Sequence, residues 1–458
     1  MQLVPPMDAV YLLGESRTSP NHVVALQIFQ PPEDAPEDFL DTLYESMTDT
    51  SRLKPAFRRR PHRSLGTAGW FVWAQEPEVD LTLQVRRAGL PRPGRIRELL
   101  ELVATFHETP LERDRPLWQA RLVEGLDDGR FALCTKMHHS MFDGVNMGRH
   151  LLGGLSPDPA DRSGTAPWIT PSASRSPRTA SETSPVDAVR GIASAVRGIV
   201  DSLPTLVRAG REALGPDANP LPFTAPPTMF NTRVSSARRF AGDAWPKARL
   251  RTVARRAGTT LNDVAVTMCA GALRRYLIEQ LSLPAEPLVA MIPVSADPRE
   301  GGVARDGNAW TAALCDLGTE TNDVHERLRR IHTSIRRSRR LVSELDPITA
   351  GALSAAVLGG QAANLVPGLP TTPRPPFNVV LSTVPAMSTR LHLNGCALTD
   401  NYPLSVVVDG QALNITMISY VGELAFGITG CPRSVPHLQR LLEHLEASLR
   451  EVEEAIGV

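Results

Sequence analysis

The stretch from 156 to 230 decides how this 458-residue chain can fold. Pro157, Pro159, Pro167, Pro171, Pro177 and Pro185 stand there among Ser, Thr and Ala, and Pro216, Pro220, Pro222, Pro226 and Pro227 close it. Proline lacks a donor N–H and interrupts helices and central strands, so such a segment does not carry a core layer. Its composition is that of a linker. The chain is too long for one ordinary domain. It is therefore read as a first domain, 1–155, a crossover, 156–230, and a second domain, 231–458. One helix is expected inside the crossover, from Val186 to Leu214, with Val189, Ile192, Val196, Ile199, Leu203 and Leu206 in period and a kink at Pro204. It packs on one of the domains, or alternatively touches a membrane or lipid droplet.

Both flanks mix strand and helix patterns, which predicts a layered α/β architecture. In the first, Val23 to Phe29 reads as a buried strand, and Phe39, Leu43 and Met47 share a helix face. Phe131 to Met137 is a second buried strand, launched by the turn Asp127-Asp128-Gly129. In the second, Thr260 to Leu281 is a helix with Thr260 and Asp263 at capping-box spacing. Leu288 to Pro293 is a strand, and Val324 to Leu341 is an Arg-rich helix. Leu413 to Tyr420 and Glu423 to Ile428 read as a hairpin, and Leu438, Leu441, Leu445, Leu449 and Val452 stripe a C-terminal helix. The uncharged run Pro347 to Pro373 is diluted by Gly and Gln. It is read as a buried helix, with peripheral membrane contact as the alternative.

Charge excludes one broad class. Lys plus Arg equal Asp plus Glu at 49 each, with no basic stripe interleaved with aromatics, so nucleic-acid binding is not expected. The five cysteines, Cys134, Cys269, Cys315, Cys396 and Cys431, are far apart and form no C-x-x-C. A reduced, cytoplasmic setting without a metal site is expected, and no secretory leader.

The chemistry concentrates after the second buried strand, in His138-His139-Ser140-Met141-Phe142-Asp143-Gly144. Strand side chains alternate faces, so the two histidines point in opposite directions if the strand persists. One can face a channel while the other supports the backbone. A near-neutral imidazole is suited to taking a proton from an alcohol or amine. Asp143 either pairs with an arginine or orients an imidazole, past a turn that Gly144 eases. Ordinary core histidines are the plain alternative.

This motif and its surroundings resemble the bacterial wax ester synthase/diacylglycerol acyltransferase family, within the coenzyme A-dependent acyltransferase superfamily. The resemblance also runs through Asn21-His22-Val23, Leu90 to Gly94, Pro110 to Trp118 ending in Pro116-Leu117-Trp118, Thr260 to Val264 with Asn262-Asp263, Pro293-Val294-Ser295, Gly307-Asn308 and Ser419 to Gly422. It is weakest in the crossover. The chain departs from the family pattern at Ser382-Thr383-Val384-Pro385-Ala386-Met387, at Gln84 where a histidine is common, and at Asp297-Pro298.

The resemblance implies two chloramphenicol-acetyltransferase-like domains in a pseudo-dimer with a tunnel between them. It implies a long-chain acyl-CoA donor, a diacylglycerol or fatty-alcohol acceptor, and direct transfer with His139 as general base. Coenzyme A thioester is a substrate, and no cofactor is expected. Ser382 or Thr383 is a candidate oxyanion donor. Pro116-Leu117-Trp118 reads as packing near the site, and Asn262-Asp263 either as a helix cap or as part of the domain interface. Arg336, Arg337, Arg339 and Arg340 either meet coenzyme A phosphates or form a solvated helix face. No G-x-S-x-G occurs, so a serine-hydrolase route has no support. A condensation-type acyltransferase and a non-catalytic lipid-binding protein remain as rival functions.

Overall fold

The computed structural model describes residues 2–63, 67, 69–142, 144–170, 220–295, 310–344, 354, 373–384 and 388–458. The helix expected at 186–214 and nearly all of 347–373 lie outside them, as do Asp297-Pro298 and Gly307-Asn308.

The first part of the chain runs β1 (Gln2–Leu3), α1 (Pro6–Leu13), β2 (His22–Gln30), α2 (Phe39–Met47), β3 (Arg59–Arg63), β4 (Phe71–Gln75), α3 (Leu81–Gln84), β5 (Val85–Gly89), α4 (Ile96–Glu108), β6 (Trp118–Glu124), β7 (Phe131–His138) and α5 (Gly144–Leu152). The second runs β8 (Arg239–Pro246), α6 (Lys247–Ala257), α7 (Leu261–Glu279), β9 (Val289–Ser295), β10 (Trp310–Asp316), α8 (Val324–Glu344), β11 (Val379–Val384), β12 (His392–Leu393), β13 (Cys396–Leu404), β14 (Leu413–Tyr420), β15 (Glu423–Gly430) and α9 (Arg440–Ile456).

These strands make two six-stranded sheets, ordered β12-β13-β2-β7-β6-β5 and β10-β9-β11-β14-β15-β8, with β1-β4-β3 as a small third. β2 and β7 are central and buried on both faces, which is why both read as nearly continuous apolar runs. The turn before β7 has Gly129 at φ +78, a conformation open to glycine. In α7, Thr260 Oγ1 accepts from Asp263 N–H while the Asp263 carboxylate accepts from Thr260 N–H, completing the capping box. β14 and β15 pair antiparallel from Leu413↔Gly430 to Tyr420↔Glu423, around a turn with both Val421 and Gly422 at positive φ.

The boundary at 230 fails for one segment. β12 and β13, read with the second domain, complete the sheet of the first. β13 pairs antiparallel with β2 from Ala397↔Gln30 to Leu404↔Val24. Strand pairing is satisfied by any open edge of matching register, and the edge of β2 is what the fold presents here. Gly427 marks the close approach this requires: a Cβ there would lie 1.8 Å from Pro403 O.

A shared core seals the halves together. Val24, Leu26 and Ile28 of β2 and Leu99 and Val103 of α4 pack with Phe240, Leu404, Ile418 and Ala425. Burying each such side chain contributes about 1.5–3 kcal/mol for the larger ones. Arg238 is a polar tie across the same seam. Its Nη2 donates to Thr18 O at 2.7 Å and Val407 O at 3.0 Å, and its N–H donates to Glu108 at 3.2 Å.

Candidate active site

β7 delivers the histidine pair. His138 stands opposite His22 in the β2–β7 ladder, and the pairing runs one residue further, with His139 N–H donating to Asn21 O at 2.9 Å. The two side chains consequently leave on opposite faces, as the alternation required. His138 is fully buried, and His139 is partly exposed.

His138 is locked in place. Its Nδ1 accepts from Ser140 N–H at 3.2 Å and lies 2.7 Å from Ser140 Oγ. An accepting Nδ1 leaves the ring proton of the neutral imidazole on Nε2, 3.4 Å from Glu15 Oε1. Glu15 is itself held by Arg113 Nη2 at 2.9 Å and by Asn21 N–H at 3.3 Å. Burial pushes the Glu15 carboxyl up, but His138 and Arg113 outweigh it, so the group sits below its ordinary pKa. The main chain is fixed as well, with His138 N–H donating to Leu117 O at 2.9 Å.

His139 lies against Tyr11 of α1, ring centroids 4.2 Å apart and nearly parallel at 12°. Burial pushes its pKa down to about 4 and His138 adds to the fall, while a hydrogen bond with its own main chain opposes it. The imidazole is therefore neutral across the physiological range. An acceptor hydroxyl can reach the partly exposed ring of His139, which the enclosed His138 does not allow.

The face opposite His139 carries a buried basic group. Lys136 Nζ donates to Phe106 O at 3.0 Å and Thr109 O at 2.8 Å, and burial pushes its pKa down to about 7. Nearby, His22 Nε2 donates to His107 O. Burial drives His22 well below its usual pKa and His107 to about 3.

Pro116-Leu117-Trp118 frames this arrangement. Trp118 is fully buried, donates from Nε1 to Phe57 O at 2.8 Å and stacks on Trp168 at 4.9 Å. Gln84 explains its own departure from the family pattern: its Nε2 donates to Pro116 O at 3.0 Å and Trp118 O at 2.8 Å. The run is packing that also positions β7.

Asn262 and Asp263 take separate roles. Asp263 is buried, caps α7 and meets His332 Nδ1 at 2.8 Å. Asn262 Oδ1 accepts from Thr383 Oγ1 at 2.8 Å. The end of β11 reaches the first domain, where a Cβ at Gly148 of α5 would lie 3.9 Å from Val384 Cγ1. Ser382 and Thr383 point to opposite faces of β11. The structure thus brings Thr383 to Asn262, and β11 to α5. Gly144 opens α5; Asp143 lies outside the described residues. Arg336, Arg337, Arg339 and Arg340 are exposed on α8.

Reasoning from sequence missed Glu15 and Tyr11 and gave Arg113 no role of its own. Asn21 and Arg113, each inside a quoted motif, signalled this neighbourhood.

The fold and the paired histidines define a class first. A condensation domain of a calcium-dependent antibiotic synthetase superposes with a TM-score of 0.62 at 16% identity, covering 99% of this chain and 96% of that one. That likeness shows the shared two-domain fold. The family follows from closer matches. Residues 4–265 match the wax ester synthase/diacylglycerol acyltransferase catalytic domain, and 306–453 match the C-terminal domain of the same family. A Mycobacterium tuberculosis protein named "Probable diacyglycerol O-acyltransferase tgs2" is 42% identical over the whole of both chains. The wax ester synthase/diacylglycerol acyltransferase from Marinobacter aquaeolei VT8 superposes with a TM-score of 0.77 at 33% identity, covering 100% of both. The chain belongs to the wax ester synthase/diacylglycerol acyltransferase family.

Proposed function

We propose that this protein is an acyl-CoA-dependent O-acyltransferase that makes triacylglycerol from diacylglycerol and a long-chain acyl-CoA, and wax esters from fatty alcohols. The observation that carries the reading is the division of labour at the end of β7: His138 enclosed and bonded, His139 neutral and partly open. Family membership supplies the substrate classes.

In this reading His139 takes the acceptor hydroxyl proton as the oxygen attacks the thioester carbonyl. The tetrahedral intermediate collapses, the C–S bond breaks, and the proton passes to the departing coenzyme A thiolate. No cofactor enters these steps. His138, Glu15 and Arg113 act through position: they fix the strand end from which His139 projects. The oxyanion is assigned to the end of β11. Thr383 already spends its hydroxyl proton on Asn262, so it must break that bond to serve, whereas the Ser382 hydroxyl makes no hydrogen bond to a described residue. No helix among the described residues is long and apolar enough to cross a membrane. Contact with a membrane or lipid droplet is accordingly proposed as peripheral.

The test is coenzyme A release from palmitoyl-CoA, with dioleoylglycerol and with hexadecanol, for wild type and His139→Ala. Acceptor-dependent release that drops about 10²–10⁴-fold in the variant supports the reading. Release by the wild type that persists undiminished in His139→Ala removes His139 as base. No acceptor-dependent release with either alcohol removes the activity.

A further inference from the structure

The second half carries a cationic cavity that the site above does not use. On α6, Leu250, Val253 and Ala254 turn into the core, while Arg251 and Arg255, one helical turn apart, are exposed. With Thr252, Thr259 and Leu261 they line a cavity of about 570 Å³ between α6 and the start of α7. No carboxylate is among its lining residues.

Neither arginine makes an ion pair or hydrogen bond with a described residue. Other basic residues of the same helix are engaged: Arg249 is held by Glu446 at 3.0 Å and Glu453 at 2.8 Å, and Arg256 by Gly457 O at 2.6 Å. The Thr259 hydroxyl, shielded from solvent in the cavity wall, has no hydrogen-bond partner. Like charges four residues apart on a helix repel. Two unpaired guanidiniums beside a cavity without carboxylates therefore favour a bound anion. Their planar forks match the oxygens of a phosphate.

Contacts also connect the cavity to the first half near the histidine motif. Leu261 lines it, and the next residue, Asn262, receives the Thr383 hydroxyl. Val384 then meets α5, the helix that follows the histidine motif. A donor with its thioester at His139 and its charged end in the cavity would follow this seam.

We propose that the cavity binds the 3′-phosphate of coenzyme A, with Arg251 and Arg255 as its ligands. The proposal rests on the acyl-CoA reading and adds the residues that recognise the donor. A phosphomonoester approaches two negative charges at neutral pH, so it is the part of coenzyme A best matched to two arginines. The α8 arginines are poorer candidates, since Arg337 and Arg340 already interact within the chain.

The experiment is calorimetric titration of the full chain, at low ionic strength, with coenzyme A, dephospho-coenzyme A and inorganic phosphate. The proteins are wild type, R251Q/R255Q, and R336Q/R337Q, which removes the same charge elsewhere. Wild type should bind coenzyme A about tenfold more tightly than dephospho-coenzyme A. R251Q/R255Q should lose that difference while keeping its affinity for dephospho-coenzyme A, and R336Q/R337Q should retain it. Inorganic phosphate should compete with coenzyme A in wild type only weakly, because it lacks the rest of the ligand. Discrimination that survives in R251Q/R255Q, is absent in wild type, or vanishes in R336Q/R337Q overturns the site. If the discrimination depends on Arg251 and Arg255 but no acyl transfer occurs, the site stands and the activity falls. If transfer occurs with the KM for palmitoyl-CoA unchanged in R251Q/R255Q, the activity stands and the site falls. A wild type that binds no coenzyme A overturns both.

Discussion

Consider kcat/KM for acyl transfer as the pH falls from 7 toward 4. An ordinary imidazole, pKa about 6.5, is roughly three-quarters protonated at pH 6. His139, pushed down to about 4, is protonated there in only about 1% of molecules. A fall of about 2.5 units corresponds to roughly 3 kcal/mol against charging the ring in the folded protein. Because kcat/KM reports the free enzyme, its acid limb should be centred near pH 4 rather than 6.5.

Stability moves in the same window, and its sign is fixed. His22, His107 and His139 all have folded pKa values below their unfolded ones. Between those values the unfolded chain binds more protons than the folded one. Their contribution is therefore present above about pH 6.5 and is lost as the pH falls below it. With all three imidazoles in that window, the slope approaches about 4 kcal/mol per pH unit. The assay is initial-rate coenzyme A release across pH 4–8, with circular dichroism at each pH and a return to pH 7 to recover activity. Activity should hold to about pH 5 and fall together with the folded signal or below it. An acid limb centred near 6.5 in protein that remains folded would refute the claim that burial governs His139.

Three further outcomes are expected. Trp118→Phe removes the donor to Phe57 O and leaves a gap beside Trp168; urea unfolding should show a loss of about 2 kcal/mol, and a loss near zero would contradict the tight packing. Gly427→Ala drives a Cβ toward Pro403 O, so its melting point should fall by an amount corresponding to about 3 kcal/mol or more; a wild-type melt would contradict the close crossing of β13 and β15. Lys136→Met removes a group whose folded pKa is near 7, below its unfolded value of about 10.4. Wild type should therefore gain stability over the variant as pH rises from about 7 to 10, and a pH-independent difference in melting temperature would refute the buried, depressed amine.

Local signals in the sequence were the readable ones. The α7 capping box joins residues three apart, and the β14–β15 hairpin is set by the Val421-Gly422 turn, so a short window contains everything that specifies them. The split between His138 and His139 was legible for the same reason, since it needs only strand alternation. Long-range pairings were not. Glu15 and Arg113 meet across 98 positions, and nothing in either neighbourhood names the other. Cys396 to Leu404 has the pattern of a strand, but that pattern does not say which sheet receives it. Gln84 looked like a simple loss of histidine until its amide was seen holding two carbonyls of the Pro116–Trp118 run.

The strand exchange bears on how cargo travels. Because β13 leaves the second half and is stitched along β2 of the first, the two halves are buckled together on that side. Prising them apart like a clam would strip main-chain hydrogen bonds along that ladder and expose the apolar layer beneath it. Such a molecule does not gape to swallow a lipid. Any opening has to come from the other side of the seam, away from the β2–β13 ladder.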